Sequence, residues 1–149
     1  MPKIDPAALP IKKAGSDYPA PYDAPCAGRT IRDLAAAGGA SDWAANHCTI
    51  PPGGWSSQRH WHVGEDELVV VLAGEGVLID DDGRTTMRAG DVAVFPKGDG
   101  NGHHLVNDGT TDLLLLALSV PETQRCHYPD IDLIWDPARG DLHRDGTPY

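Results

Sequence analysis

Two histidines and a glutamate lie close together near the middle of this 149-residue chain. His60 and His62 are two residues apart, so on a β-strand both imidazole rings point to the same face. A turn then brings Glu67 back toward them from the next strand. Imidazole nitrogens and carboxylate oxygens are ligands that divalent transition metals accept. The spacing therefore predicts a metal site that contains these three side chains.

A third imidazole comes from much further along the chain. His103 stands at the start of another predicted strand, after the turn that runs from Gly90 to Gly98. Three imidazoles and one carboxylate that converge inside a barrel suit one divalent metal ion and leave coordination positions open for a ligand. Such a site is typical of catalysis rather than of a closed structural metal.

The elements that must position these side chains are short strands. Glycine (17 residues) and proline (13 residues) are abundant, and both have low helix propensity. Apolar segments alternate with turn residues at a regular spacing, which is typical of an all-β sandwich or barrel. The predicted strands are 43–50, 58–63, 68–72, 77–80, 85–88, 92–95, 103–107 and 113–120.

Two of these strands, 68–72 and 113–118, are continuously apolar. A strand with one wet face should alternate between apolar and polar residues. We therefore expect both faces of these strands to be covered, one by the barrel interior and the other by an arm or a second subunit.

The two ends of the chain differ from this pattern. Residues 1–40 are predicted to form an N-terminal arm, 41–120 the barrel, and 121–149 an irregular tail that packs on the barrel. Within the arm, 30–37 is open to two interpretations. Thr30 and Asp33 resemble a helix-capping box, but a strand followed by a turn fits equally well.

Charge and composition exclude several classes of protein. With 12 basic and 22 acidic residues the net charge is −10, which argues against nucleic acid and against anionic membranes as partners. The longest apolar run, 113–118, is far shorter than a membrane span. We expect a cytoplasmic protein, because no secretory signal is recognisable and the three cysteines form no disulfide pattern.

At this point the residues resemble the two sequence motifs of the cupin superfamily. The motifs are formed by Gly54, His60, His62, Glu67 and Gly74, and by Gly90, Pro96, Gly98, His103 and Asn107. The chain departs from the family in one place: four residues separate Gly98 from His103, where the family usually has two. This longer turn leaves His104 as an alternative fourth ligand.

The resemblance implies a single-domain jelly-roll β-barrel with one Zn, Mn, Fe or Ni ion at its centre. It also implies a homodimer, which is common among single-domain cupins. The whole chain is similar to small bacterial cupins that are loosely described as sugar-phosphate-isomerase-like. Only Lys97 and Arg59 lie near the predicted metal strands, however, so the sequence offers little to bind a phosphate.

These observations predict an enzyme that acts on a small oxygen-rich metabolite, as an isomerase, lyase or dioxygenase. Glu67 and Gln58 are the predicted catalytic residues. Gln58 shares the strand face of His60 and could orient a water or a substrate carbonyl, although polar filling of the barrel interior is an equal alternative. The alternative function is a non-catalytic module that binds a sugar or an acid.

Overall fold

The structure, a computed structural model, describes residues 3–121 and 123–149. Residues 1, 2 and 122, which fall in the predicted arm and tail, lie outside the described residues. The described chain is built mainly of short strands with one short helix, which confirms the all-β class. The elements are β1 (Lys13–Ala14), β2 (Thr30–Asp33), α1 (Leu34–Gly38), β3 (Ala44–Ile50), β4 (Trp61–His62), β5 (Glu67–Ala73), β6 (Glu75–Asp80), β7 (Gly83–Arg88), β8 (Val92–Phe95), β9 (His104–Val106), β10 (Leu113–Ser119), β11 (Cys126–Tyr128), β12 (Leu133–Asp136) and β13 (Gly140–Leu142). Two 3-10 turns, Pro6–Ala8 and Ala24–Cys26, lie in the N-terminal arm.

The strands form three antiparallel sheets. The largest has the order β1-β2-β3-β10-β5-β8, and a three-stranded sheet has the order β7-β6-β9. A four-stranded sheet, β13-β12-β11-β4, joins the C-terminal segment to the strand that carries His62. Strands that follow one another in the chain thus often lie in different sheets, as in a jelly roll.

The core lies between the six-stranded and the three-stranded sheets. Alternate residues of β3, β5 and β10 point inward and meet side chains from β7 and β9. Burial of one such side chain contributes about 1.5 to 3 kcal/mol to stability. The core cluster consists of Cys48, Ile50, Val69, Val71, Met87, Leu105, Leu113 and Leu115.

The continuously apolar strands are covered on one face only by the described residues. Val69 and Val71 of β5 point inward and are buried, whereas Leu72 is exposed. On the neighbouring β8, Val92 and Val94 are 55% and 60% exposed. The predicted cover on the outer face is therefore not supplied by the part of this chain that the structure describes.

The tail is more ordered than the sequence indicates. The expectation of an irregular segment was wrong, because β11, β12 and β13 form a sheet with β4. Cys126, Tyr128 and Leu133 make a second small core, against which Tyr18 of the arm packs. These strands have only three or four residues each, too few for an alternating pattern to stand out among the Asp and Pro residues.

Residues 30–38 combine the two interpretations left open by the sequence. Thr30–Asp33 is a strand that pairs with β3, and the helix Leu34–Gly38 follows it directly. The residue that caps the helix is Asp33, whose Oδ1 accepts a hydrogen bond from the Ala36 amide at 2.9 Å. Across residues 3–121 and 123–149, no helix combines the length and the hydropathy needed to span a membrane.

Candidate metal centre

Backbone pairing places the histidines side by side. His60 and His103 exchange two backbone hydrogen bonds, of 3.1 Å and 2.8 Å, in an isolated antiparallel bridge. Their ring centroids are 5.0 Å apart, and the ring of His62 lies 4.8 Å from that of His60. The ring of His103 also stacks on Phe95 of β8, with a centroid distance of 3.6 Å. Long-range strand pairing and stacking therefore hold the three rings in one group.

Glu67 is the first residue of β5 and points into the same group. Its Oε2 lies 2.9 Å from Nε2 of His103, 3.3 Å from Nε2 of His62 and 3.7 Å from Nε2 of His60. Two donor atoms that are each about 2.1 Å from one ion are about 3.0 Å apart at a right angle and about 3.4 Å apart at a tetrahedral angle. The distances from Glu67 to His103 and His62 are in this range. Glu67 belongs to two groups of possible metal ligands, one with His60 and His103 and one with His62 and Glu65, and within each group the ligand atoms lie within 4.8 Å of one another.

Contacts with backbone carbonyls orient the rings of His60 and His103 so that Nε2 of each faces Glu67. Nδ1 of His60 lies 2.9 Å from the Gln58 carbonyl oxygen, and Nδ1 of His103 lies 3.3 Å from the Asn101 carbonyl oxygen. A carbonyl only accepts, so Nδ1 is the protonated nitrogen in each contact. In the neutral His60 ring, Nε2 then presents a lone pair toward the Glu67 carboxylate. A cation between these two acceptors relieves their repulsion, and such backbone anchoring is typical of metal-binding histidines.

The electrostatics of the group agree with this arrangement. Burial lowers the pKa of His60 to about 3, so its ring is neutral at pH 7. Burial raises the pKa of Glu67, but hydrogen bonds from His103 and His62 outweigh burial and hold this pKa well below its usual range. Burial lowers the pKa of His62, yet its hydrogen bonds to Cys126 and Glu67 prevail and raise it. A bound metal ion would replace the His62 proton as the positive partner of the Glu67 carboxylate.

The other predicted site residues lie elsewhere. His104 is buried, and its Nδ1 donates to the Ser57 carbonyl oxygen at 2.9 Å, so the structure brings His103 rather than His104 to Glu67. Gln58 is also buried, but its amide donates to the Tyr22 carbonyl oxygen at 2.6 Å. Gln58 thus ties the N-terminal arm to the barrel, and its predicted catalytic role stays a prediction.

Two side chains that the sequence analysis did not assign to the site border the group. The carboxylate of Glu65 is buried and lies 3.8 Å from Nδ1 of His62. The Cys126 thiol comes within 4.8 Å of ligand atoms of His60 and His62, and burial raises its pKa. Glu65 occupies a turn without any motif, and Cys126 falls in the segment predicted to be irregular. No sequence signal pointed to either.

A cavity of about 450 Å³ opens above the group. Its floor includes His60, His62 and Glu67, and its walls come from both ends of the chain. Lys13, Tyr18 and Arg29 line it from the arm, and Cys126, Tyr128 and Trp135 line it from the C-terminal sheet. A second cavity of about 170 Å³ lies behind it in the barrel and shares Arg29 and Glu67 with the first. The volume of the first cavity is in the range of sites that bind small molecules.

The motif glycines shape the turns around this site. Gly74 separates β5 from β6 at φ +81°, and a Cβ there would lie 2.5 Å from the Asp112 carbonyl oxygen. Glycine is therefore required by the backbone conformation and by the close approach. The longer turn 99–102 is held by the Asp99 and Asn101 side chains, which accept from the amides of Asn101 and Asp81.

Comparison with known proteins identifies the family. Residues 46–119 match the family model described as Cupin domain. A crystal structure described as a sugar phosphate isomerase from a cupin superfamily, from Silicibacter pomeroyi, is 36% identical, covers 99% of this chain and 96% of its own, and superposes with a TM-score of 0.91. The chain belongs to the cupin superfamily.

Two further matches show the range of relatives. A putative sugar phosphate isomerase from Acidithiobacillus ferrooxidans is 30% identical, with 72% of this chain and 69% of the other covered and a TM-score of 0.68. The oxalate-binding protein of Thermotoga maritima is 39% identical over 71 residues, which are 48% of this chain and 56% of that protein. The chain thus matches little more than half the length of that relative.

Proposed function

We propose that His60, His62, Glu67 and His103 bind one divalent transition-metal ion, of Zn, Mn, Fe or Ni, and that the protein acts on a small oxygen-rich metabolite. The observation that carries the proposal is the convergence of three imidazole Nε2 atoms on one carboxylate oxygen at the floor of the 450 Å³ cavity. One anionic and three neutral ligands suit a borderline divalent metal.

The reaction is of the isomerase, lyase or dioxygenase type. When bound, the metal supplies Lewis-acid polarisation of ligand oxygens and, if it is redox-active, electron transfer. Glu65 is buried beside the ligand group and lines the same cavity, so it is placed to move a proton to or from a bound molecule. Tyr128, which stacks on His60, forms part of the wall that holds the molecule. These side chains exclude water and orient the ligand.

The names of the relatives support a small ligand without deciding the reaction. One relative is described as a sugar phosphate isomerase and another as an oxalate-binding protein. Both sugars and oxalate present several oxygens to a metal. The second name favours the alternative function, a cupin that binds a small acid without turnover. That alternative predicts saturable binding and no product.

Metal analysis of adjacent histidine variants tests the proposal. We expect near-stoichiometric metal in the wild type and in His104→Gln, and its loss in His103→Gln, because only His103 faces Glu67. Both histidines are buried to the same extent, so His104→Gln controls for packing effects. Elemental analysis of protein purified without chelator or nickel resin gives the result. Equal metal content in the two variants would contradict the ligand set.

We also propose that two copies associate through the outer face of the six-stranded sheet. Leu72, Val92 and Val94 are exposed there, and no charged side chain occupies the outward positions of β5 or β10. An apolar face of this kind is complementary to itself, as a two-fold interface requires. Analytical ultracentrifugation should show a dimer for the wild type and a larger dimer dissociation constant for Val94→Lys. A monomeric wild type would contradict the proposal.

The proposed compartment is the cytoplasm. Cys26, Cys48 and Cys126 are all free and buried. Unpaired thiols persist where the surroundings are reducing. Fractionation of the native host, followed by immunodetection, tests this placement.

A further inference from the structure

The arm supplies a positive charge to the cavity. Arg29 immediately precedes β2 and lines both the outer and the inner cavity. Its Nε and Nη2 donate to the Gly15 carbonyl oxygen at 3.2 Å and 2.8 Å, and its Nη1 donates to the Ser56 carbonyl oxygen. Three of its five N–H donors are thus used by backbone, and these bonds fix the guanidinium in place.

This charge has no acidic partner among residues 3–121 and 123–149, since no carboxylate there lies within 4.0 Å of the Arg29 guanidinium. Arg59, by contrast, pairs with both Asp81 and Asp130. The positive charge of Arg29 also acts on the Cys48 thiol. Burial raises the pKa of this thiol, and the charge of Arg29 lowers it. A half-buried guanidinium held by neutral carbonyls alone remains available to an anion.

We infer that Arg29 is the subsite for a carboxylate group of a small ligand whose other oxygens reach the metal-binding group. The inference rests on the proposed function and specifies its ligand class. The two remaining N–H donors can form the paired contact that a planar carboxylate accepts. Arg29 and Glu67 line the same two cavities, so one ligand bound there can face both side chains.

The charges of the cavity favour a carboxylate over a phosphate. Among the described residues that line the outer cavity, four are acidic, Asp17, Glu65, Glu67 and Asp141, and one is a lysine and one an arginine, beside two histidines. Lys13 pairs with Asp17 and His62 contacts Glu67, so among the described lining residues Arg29 is the cation that remains for a ligand. One guanidinium balances the single charge of a carboxylate group, whereas a phosphate group carries close to two charges at pH 7.

Calorimetric titration with oxalate tests the inference. Oxamide is the matched uncharged ligand, and Arg84→Gln is the matched charge control, because Arg84 pairs with Asp108 at an exposed site on β7. We expect Arg29→Gln to weaken oxalate binding about tenfold or more, as for loss of a charge-assisted hydrogen bond, and to leave oxamide binding unchanged. Arg84→Gln should bind oxalate as the wild type does. Equal oxalate affinity in the wild type and Arg29→Gln, or no oxalate binding by the wild type, would overturn the inference.

A phosphate titration separates the two anion classes. Inorganic phosphate should bind the wild type more weakly than oxalate, and tighter phosphate binding that depends on Arg29 would overturn the carboxylate assignment. Metal content is measured on the same samples. If the wild type holds no metal, the proposed function fails, and the oxalate titration of the metal-free protein still decides whether Arg29 binds the anion.

A measurement on the wild type covers the case in which Arg29→Gln does not fold, since Arg29 also anchors the arm. In ¹⁵N-labelled protein the Arg29 Nε–H resonance, assigned with Arg29→Lys or by through-bond transfer, should shift as oxalate is added. Oxamide should leave it in place. An Arg29 resonance that does not respond to saturating oxalate would contradict direct contact.

Discussion

The sharpest stability prediction concerns Asn107, the residue that follows β9. Its side chain is fully buried, and its Nδ2 donates to the carbonyl oxygens of Ile50 and Thr111, both at 2.8 Å. Its Oδ1 accepts from the Gly109 amide at 3.0 Å. Asn107→Ala removes all three bonds and leaves the Ile50 carbonyl buried without this donor. At about 1 kcal/mol for each bond, with about 1 to 2 kcal/mol for the unpaired carbonyl, the free energy of unfolding should fall by about 4 kcal/mol.

Urea unfolding followed by circular dichroism measures this loss. With a slope of about 2 kcal/mol per molar urea, the midpoint should fall by about 2 M. Asn101→Ala is the matched control, because Asn101 makes one side-chain hydrogen bond, at 2.9 Å to the exposed Asp81 amide, and should lose about 1 kcal/mol or less. The folded Asn107→Ala protein should still bind metal, since its side chain does not line the cavity. Equal shifts in the two variants would refute the reasoning.

Three further predictions address the arm, the cavity and pH. Gln58→Ala removes the bond to the Tyr22 carbonyl oxygen, so unfolding by urea should show a loss of about 1 to 2 kcal/mol with metal content unchanged; lost turnover at full stability would instead support a catalytic role. Glu65→Gln should keep the metal and lower turnover of a substrate found by screening by about 10²- to 10⁴-fold; wild-type rates would exclude it from proton transfer. The hydrogen bond from Arg59 lowers the pKa of Asp130, so its stabilisation is present above the ordinary carboxyl pKa of 3.8 and is lost as pH falls below it. The wild type should therefore be more stable than Asp130→Asn at pH 7, by a small amount because the pair is partly exposed. This difference in the free energy of unfolding should shrink as the pH falls from 7 to 3. A difference that grows as the pH falls would contradict the prediction.

Local patterns in the sequence predict the barrel strands well. The strand at Val92–Phe95 has the predicted bounds, and Ala44–Ile50 and Leu113–Ser119 differ from prediction by one residue at an end. Each is bounded by Gly, Pro or Asp residues that mark its turns. The β11–β13 sheet could not be predicted in this way, because its strands depend on pairing with β4, more than sixty residues earlier in the chain for Cys126 and His62.

At the site, too, local patterns predict some positions, whereas others depend on pairing between distant segments. The alternation rule correctly places His60 and His62 together, because both lie where the backbone pairs with another strand. It does not bring Gln58 to the cavity, since the residues between Trp55 and His60 are bends rather than a regular strand. The motif spacing predicts His103 as the fourth ligand, with His104 as the alternative. The structure places the ring of His103 beside Glu67, whereas the ring of His104 contacts the Ser57 carbonyl oxygen.

The division of the cavity between barrel and termini bears on how ligand choice can differ among relatives. The proposed metal ligands all lie within residues 46–119, the part that matches the cupin family model. Arg29 and Trp135, which line the cavity from opposite ends of the chain, lie outside that part. We therefore expect variants of Arg29 to alter which anion binds while the metal content is unchanged, because the proposed metal ligands all lie in the barrel.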